Sequence, residues 1–283
     1  MNGTLGRDKV WNDAIWGEID KAVRDEMGRI RVAQKVFPST VVNNLLPVPT
    51  NVFLAPRSSE RAVLGAGDDS FQPFIEISIE FVLTHAQVDA EESMHLGSSL
   101  ARLAGSAIAA SEDAILFLGG STIVRDSRPP VINTTGATVT NVNAIPRGFV
   151  GEAANNPAAP AAPILNLLAD GIGRLNSRGQ PGPYALFLSP IRYAETYSPP
   201  AGTLATAADS IVTLATGGFY AVNSLPDNTG ILVSLGGEPA KIVLGSDATT
   251  AFVFVDGQGT YHFRVFERLQ LMVRDGRAFQ TLQ

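Results

Sequence analysis

Between residues 11 and 30, apolar side chains recur at Trp11, Ile15, Ile19, Val23, Met27 and Ile30, the three-and-four spacing of one helical face. With Asn12 or Asp13 as N-cap, the pattern predicts an amphipathic helix running to about Gln34 and ending before Pro38. Its other face carries Glu18, Asp20, Lys21, Arg24, Asp25 and Arg29, a mixture of signs that suits a solvated surface or an interface rim. Two readings of the apolar stripe stay open. It packs into the core, or part of it near the chain start stays open to receive a peptide from another protein.

Residues 47–73 are rich in Pro, Gly, Ser and charge, after which Ile75, Ile77, Ile79 and Phe81 alternate with Glu76, Ser78 and Glu80. This predicts a half-buried strand returning from a long excursion. Such a loop is uncommon inside a compact domain, so it is either a surface loop or a two-stranded arm that finds its partners on a neighbouring copy. Over 91–118, Leu96, Leu100, Leu103, Ala107, Ser111, Ala114 and Leu118 step by three and four, and the run stops at Gly119-Gly120. A helix of that length would span roughly 40 Å. Its Ala- and Ser-rich flank would admit a close neighbour.

The stretch 121–163 turns to Ala, Asn, Thr, Pro and Gly, predicting loop with a short hairpin at most. An α-then-β alternation follows: a helix at 164–175, the turn 180–183, a strand at 184–188, then short helices near 191–197 and 204–215. Strands are expected near 219–222, 231–235, 242–244, 250–255 and 261–273, the last two joined by Asp256-Gly257-Gln258-Gly259. Phe266-Glu267-Arg268 interrupts the phase of the final strand, which predicts a bulge there.

Composition narrows the partners. A formal charge of −6, without a cluster of Lys and Arg, argues against nucleic acid. Zero cysteines excludes disulfides and thiolate metal sites. No window reaches the roughly 18 uninterrupted apolar residues of a membrane span, since 107–118 is broken by Ser111, Glu112 and Asp113. The first ten residues lack a charged head and apolar stretch, so a cytoplasmic location is expected.

The search for chemistry yields little. His85, His95 and His262 hold no metal-ligand spacing to one another, and no Gly-x-Ser-x-Gly elbow occurs. Glu92-Ser93-Met94-His95 is a single Glu-x-x-His element where a di-iron site needs two, so Glu92 and His95 are expected on an exposed flank. Leu64-Gly65-Ala66-Gly67-Asp68 has no following helix to hold a phosphate. The adjacent carboxylates Glu91-Glu92, Glu112-Asp113 and Asp68-Asp69 read as solvation or subunit contacts, because helical neighbours point about 100° apart. No catalytic, cofactor or metal site is expected, and the chain is not expected to be an enzyme.

The order of parts is nevertheless distinctive. An amphipathic helix, an extended arm, a strand, a long helix ending in Glu112-Asp113 with Phe117-Leu118-Gly119, then Gly182-Pro183-Tyr184-Ala185-Leu186-Phe187-Leu188-Ser189-Pro190 with Tyr193, and a closing β segment with Phe263-Arg264-Val265 resemble the encapsulins over nearly the whole chain. These are bacterial and archaeal nanocompartment shell proteins. The resemblance implies an α+β subunit with the tailed-phage major-capsid (Hong Kong 97-type) fold. It implies an N-terminal helix and start of the P-domain at 1–46, an E-loop arm at 47–81, the P-domain spine helix at 82–120, an A-domain at 121–246 and the closing P-domain strands at 247–283.

It further implies many copies of the chain in an icosahedral shell, enclosing guest proteins of the ferritin-like, dye-decolourising peroxidase or hemerythrin classes. Short guest tails would bind a lumenal groove at Ile30, Val32, Val36, Thr250 and Phe252. A pore would be lined by Glu195, Thr196, Tyr197, Ser198, Pro199, Pro200, Ala201, Gly202 and Thr203. Residues 85–89 lack the tryptophan that accompanies flavin in some relatives, so no cofactor is expected. The alternative is a phage or prophage capsid protein enclosing DNA, which shares the fold.

Overall fold

The computed structural model describes residues 5–42, 46–49, 71–154, 163–199 and 205–282. Asn12 caps α1 (Asp13–Ile30), its side chain accepting the Ile15 N–H at 3.0 Å. The helix stops four residues short of the expected Gln34. At Arg31 the backbone turns extended, and a single further turn, α2 (Ala33–Val36), leads into β1 (Ser39–Val41). The break has a cause: the Asp113 carboxylate accepts the N–H groups of Val32 at 2.8 Å and Ala33 at 2.9 Å, capping the second turn in place of the first helix.

The ends of the expected arm pair with each other, β2 (Val48–Pro49) antiparallel to β3 (Phe71–Gln72), so the excursion is rooted in a two-stranded ribbon. Residues 50–70, and with them the glycines and carboxylates of 64–69, lie outside the described residues. β4 (Ile75–Thr84) follows with Ile75, Ile77, Phe81 and Leu83 inward. After a short helix α3 (His85–Asp89), the expected helix over 91–118 is two pieces, α4 (Glu91–Met94) and the spine α5 (Leu96–Leu118). His95 breaks the run with φ of 50°, and Glu91, four residues earlier, replaces it as cap by accepting the Gly97 and Ser98 N–H groups at 2.6 and 2.8 Å.

The leucine stripe of α5 is not its buried face. Leu96 and Leu100 are half-buried and Leu103 is 67% exposed, whereas Ala101, Ala104, Gly105, Ile108 and Ala109 are covered. Small side chains let α1 approach: a Cβ on Gly105 would stand 3.1 Å from Val23 Cγ1, and one on Gly97 would stand 2.8 Å from Trp11. Leu96–Thr122 is, contrary to the sequence expectation, long and apolar enough to cross a membrane, but 67% of its apolar window is buried inside the protein.

Residues 121–163 hold more structure than expected: β5 (Ile123–Val124), β6 (Val131–Ile132), β7 (Thr138–Thr140) and α6 (Gly148–Ala153). Next come α7 (Ile164–Ser177), β8 (Tyr184–Leu188), α8 (Pro190–Glu195), α9 (Ala207–Leu214), β9 (Gly218–Ala221) and β10 (Gly230–Ser234). The chain closes with β11 (Ala240–Val255), β12 (Thr260–Val273) and β13 (Phe279–Leu282).

Seven strands form one sheet in the order β1-β11-β12-β4-β7-β6-β5, and four form another in the order β13-β10-β8-β9. Sheet membership crosses the expected boundaries at 121 and 247, since β5 to β7 join the large sheet and β13 joins the small one. The bulge falls elsewhere than expected. β12 pairs with β4 without a slip from Thr260 to Leu269, and the register shifts lie in β11, between Leu244 and Thr249 and near Phe252.

β8 serves two cores at once, as its period of two requires. Ala185 and Phe187 face the main core, while Tyr184, Leu186 and Leu188 face α7 and α9. An aromatic seam ties the sheets together: Phe37 stacks on Phe149 at 4.5 Å, Phe149 on Phe279 at 5.4 Å, and Phe117 meets Phe187 edge-on at 5.0 Å.

Candidate functional site

The N-terminal helix is fastened at both ends. At its start Arg7 bridges Asp20, at 2.7 and 2.8 Å, and the Thr250 carbonyl, at 2.6 and 2.9 Å, while lying over Trp16. Trp11 stacks on Phe263 at 4.8 Å and donates its indole N–H to the Val88 carbonyl. The helical face near the chain start is therefore closed.

The five groove residues do not converge. Thr250 is buried, and a Cβ on Gly6 would stand 3.1 Å from the Phe252 ring, so the first turn of the chain lies against both. Val36 lines a pocket of about 370 Å³ with Lys35, Leu235, Glu238 and Pro239. Ile30 and Val32 share a separate cleft of about 400 Å³ with Ala110, Asp113, Thr134, Thr135, Ala221, Asn223 and Ser224. Its lining mixes the apolar Ile30, Val32, Ala110 and Ala221 with hydroxyl and amide groups and the Asp113 carboxylate, the mixture that suits a short peptide or another small amphipathic ligand.

Asp113 also borders a buried charge cluster built on Glu112, a pair read from the sequence as solvation or subunit contacts. Arg31 Nε stands 2.6 Å from Glu112 Oε2, its Nη2 donates to Glu267 Oε1, and Nη1 is 3.5 Å from Asp247. Glu112 and Glu267 are fully buried, and Gln34 donates to Glu112 at 2.7 Å. Burial alone would lower the Arg31 pKa, but the carboxylates of Glu112, Glu267 and Asp247 overcome it and raise it. Burial, then the charge of Glu112, pushes the Asp113 carboxyl up to about 7 despite its two backbone donors. The same two causes, in the same order, raise Glu267 well above the usual carboxylate range. Opposed charges this deep are costly to separate but add little net stability, so the cluster fixes where α1, α5 and β12 meet.

The expected pore segment begins on α8. Glu195 is exposed, Thr196 is buried with its hydroxyl donating to the Tyr193 carbonyl at 2.6 Å, and Tyr197, Ser198 and Pro199 are exposed. The Tyr193 and Tyr197 hydroxyls lie 3.0 Å apart, and that hydrogen bond, with burial, pushes Tyr193 up to about 12. Across the loop the Ala208 N–H donates to the Thr196 carbonyl at 2.9 Å, closing its root. Pro200, Ala201, Gly202 and Thr203 lie outside the described residues. Glu92 and His95 are exposed, as expected, whereas Glu91 is buried as a helix cap. Among the described residues no group of three or more His, Asp or Glu side chains is placed to hold a metal ion.

Known proteins match this arrangement in both fold and sequence. The virus-like particle protein of Pyrococcus furiosus superposes with a TM-score of 0.68, covering 95% of this chain and 99% of that one at 14% identity. A solved structure from Microbacterium phage Oxtober96 gives 0.57 over 89% and 90% at 11% identity. The satellite phage P4 procapsid gives 0.55 over 93% and 90% at 10% identity. The fold is thus the α+β capsid fold of the Hong Kong 97 type. A family model described as encapsulating protein for peroxidase, of the linocin type, matches residues 146–270. The type 1 encapsulin shell protein EncA of Myxococcus xanthus is 32% identical over 110 residues, 39% of this chain and 38% of that relative.

Over residues 146–270 the chain is similar to the encapsulins. The model's match runs from just before α6 into β12 and so takes in α7, β8, α8 and the strand that carries Glu267. Helix α1 and the spine α5 lie outside that stretch. Sequence reasoning missed the Arg31 cluster, although Glu112-Asp113 inside an apolar helix signalled it.

Proposed function

We propose that this chain is the structural, non-enzymatic subunit of a closed encapsulin shell in the cytoplasm, built from many copies in icosahedral array. The observation that carries the reading is a capsid fold over almost the full chain combined with sequence similarity to an encapsulin shell protein. The ribbon rooted at β2 and β3 is the base of the E-loop, α5 with the large sheet is the P-domain, and the small sheet with α7, α8 and α9 is the A-domain. Self-association through these parts would bury well beyond the ~1,600 Å² of a standard interface. Symmetry then closes the assembly.

In this reading the shell encloses guest proteins of the ferritin-like, dye-decolourising peroxidase or hemerythrin classes by short tails, and neither nucleic acid nor membrane is a partner. The Ile30–Val32 cleft is the part of the expected groove that can accept such a tail, and 195–203 borders the pore. Electron microscopy of the purified full chain tests the assembly, and closed particles are expected. Absorbance at 260 against 280 nm of those particles tests the competing capsid reading, because packaged DNA would dominate the ratio. Ile30→Asp with Val32→Asp should abolish guest capture and leave the shell intact.

A further inference from the structure

The fastening at the far end of α1 holds more negative than positive charge. Arg31 faces Glu112 on α5, Asp247 on β11 and Glu267 on β12, and Asp113 on α5 borders the same group. Among the described residues no second cation joins them: Lys35 turns away to the Arg29 carbonyl, Arg29 pairs with Glu26, and Arg268, next to Glu267, pairs with Glu76. Gln34, the remaining polar partner, is neutral, and the cleft beyond Asp113 is walled by uncharged side chains.

Glu267 is the most exposed to this excess in an electrical sense. It is fully buried, its Oε1 shares the Arg31 guanidinium with Glu112, and its Oε2 meets no donor among the described residues. Asp113 also titrates, held up to about 7 by burial and then Glu112 despite its two backbone N–H donors, so its proton adds to the pH dependence of the same joint. We propose that the Arg31 cluster is a proton-operated latch: a proton on Glu267 holds the joint between α1 and α2 against α5 and β12, and loss of that proton loosens the joint. The step is a plain ionisation, the carboxylic acid of Glu267 giving its proton to water and leaving a carboxylate beside Glu112.

The sign follows from the raised pKa. The closed latch binds the proton more tightly than the opened, hydrated one, so its contribution is fully present below the usual carboxylate range. It is lost as pH rises through the raised value, and opening levels off above that. This holds whether or not the chain forms shells.

Hydrogen–deuterium exchange of the intact wild-type protein between pH 5 and 8, corrected for intrinsic amide rates, tests it. The opening of amides 31–36 should increase with pH, up to about tenfold per unit for one linked proton, while α7 stays unchanged as internal reference. Glu267→Gln keeps an acceptor for Arg31 and should reduce that dependence to the part that belongs to Asp113. Should the variant fail to fold, infrared difference spectra of the wild type replace it, with buried protonated carboxyl absorption present at pH 5 and diminishing over the same range in which amides 31–36 open. Flat exchange at 31–36, a change that α7 shares, an undiminished slope in Glu267→Gln, or no buried protonated carboxyl at pH 5 would each overturn the latch.

Discussion

Replacing Arg31 by Met removes the cation and keeps much of the side chain's length, leaving Glu112 and Glu267 buried with no counter-charge. Breaking a buried ion pair by removing one partner costs about 3–5 kcal/mol. The carboxyls can limit that cost by taking up protons, so the loss should be smaller at pH 5 than at pH 8. For a chain of this size such a loss lowers the melting midpoint by roughly 6–20 °C. Both tryptophans of the chain, Trp11 and Trp16, pack in the α1 region, so intrinsic fluorescence during heating reports its release directly. Replacing Arg31, Glu112 and Glu267 together by Met, Leu and Leu should recover most of the stability, because a well-packed apolar group can substitute for a buried ion cluster. Equal melting of Arg31→Met and wild type at pH 8 would refute the claim that this cluster anchors the helix.

Other perturbations probe neighbouring parts of the argument. Asp113→Asn offers one acceptor oxygen to two backbone N–H groups and should cost about 1–3 kcal/mol in chemical denaturation. Because burial and then Glu112 hold Asp113 up to about 7, its contribution is present below the usual carboxylate range and lost as pH rises through about 7, so Asp113→Asn should show a flatter melting profile between pH 5 and 8. Gly105→Val drives a branched side chain into Val23 and should cost about 1–3 kcal/mol by the same fluorescence melt. Gly119 adopts φ of 62° with a Cβ position 2.4 Å from the Pro146 and Arg147 carbonyls, so Gly119→Ala should cost on the order of 3 kcal/mol or prevent soluble expression.

The strong local signals were legible. Asn12 at a helix start, five apolar residues between Pro183 and Ser189, and alternation from Ile75 each predicted an element that forms. Misreadings occurred where packing outweighs hydrophobicity. On α5 the large leucines looked like the core face, yet Ala and Gly are buried because only small side chains let α1 come close. Glu267 looked like a break in phase, whereas it continues the inward series of Phe263, Val265, Leu269 and Leu271 as a buried carboxylate. The signal was available for α5. Glu112 and Asp113 have Ile108, Ala109, Leu116 and Phe117 four residues away on either side, so no local cation could pair them and a distant one was required. The groove residues scattered for a different reason, since their distances depend on where β11 slips register and where α1 breaks.

Sedimentation velocity of the purified full chain at neutral pH tests the central claim most directly. A single fast boundary of megadalton particles at concentrations where the protein is folded is the result expected of a shell subunit. A folded, slowly sedimenting monomer with no heavier species would contradict it.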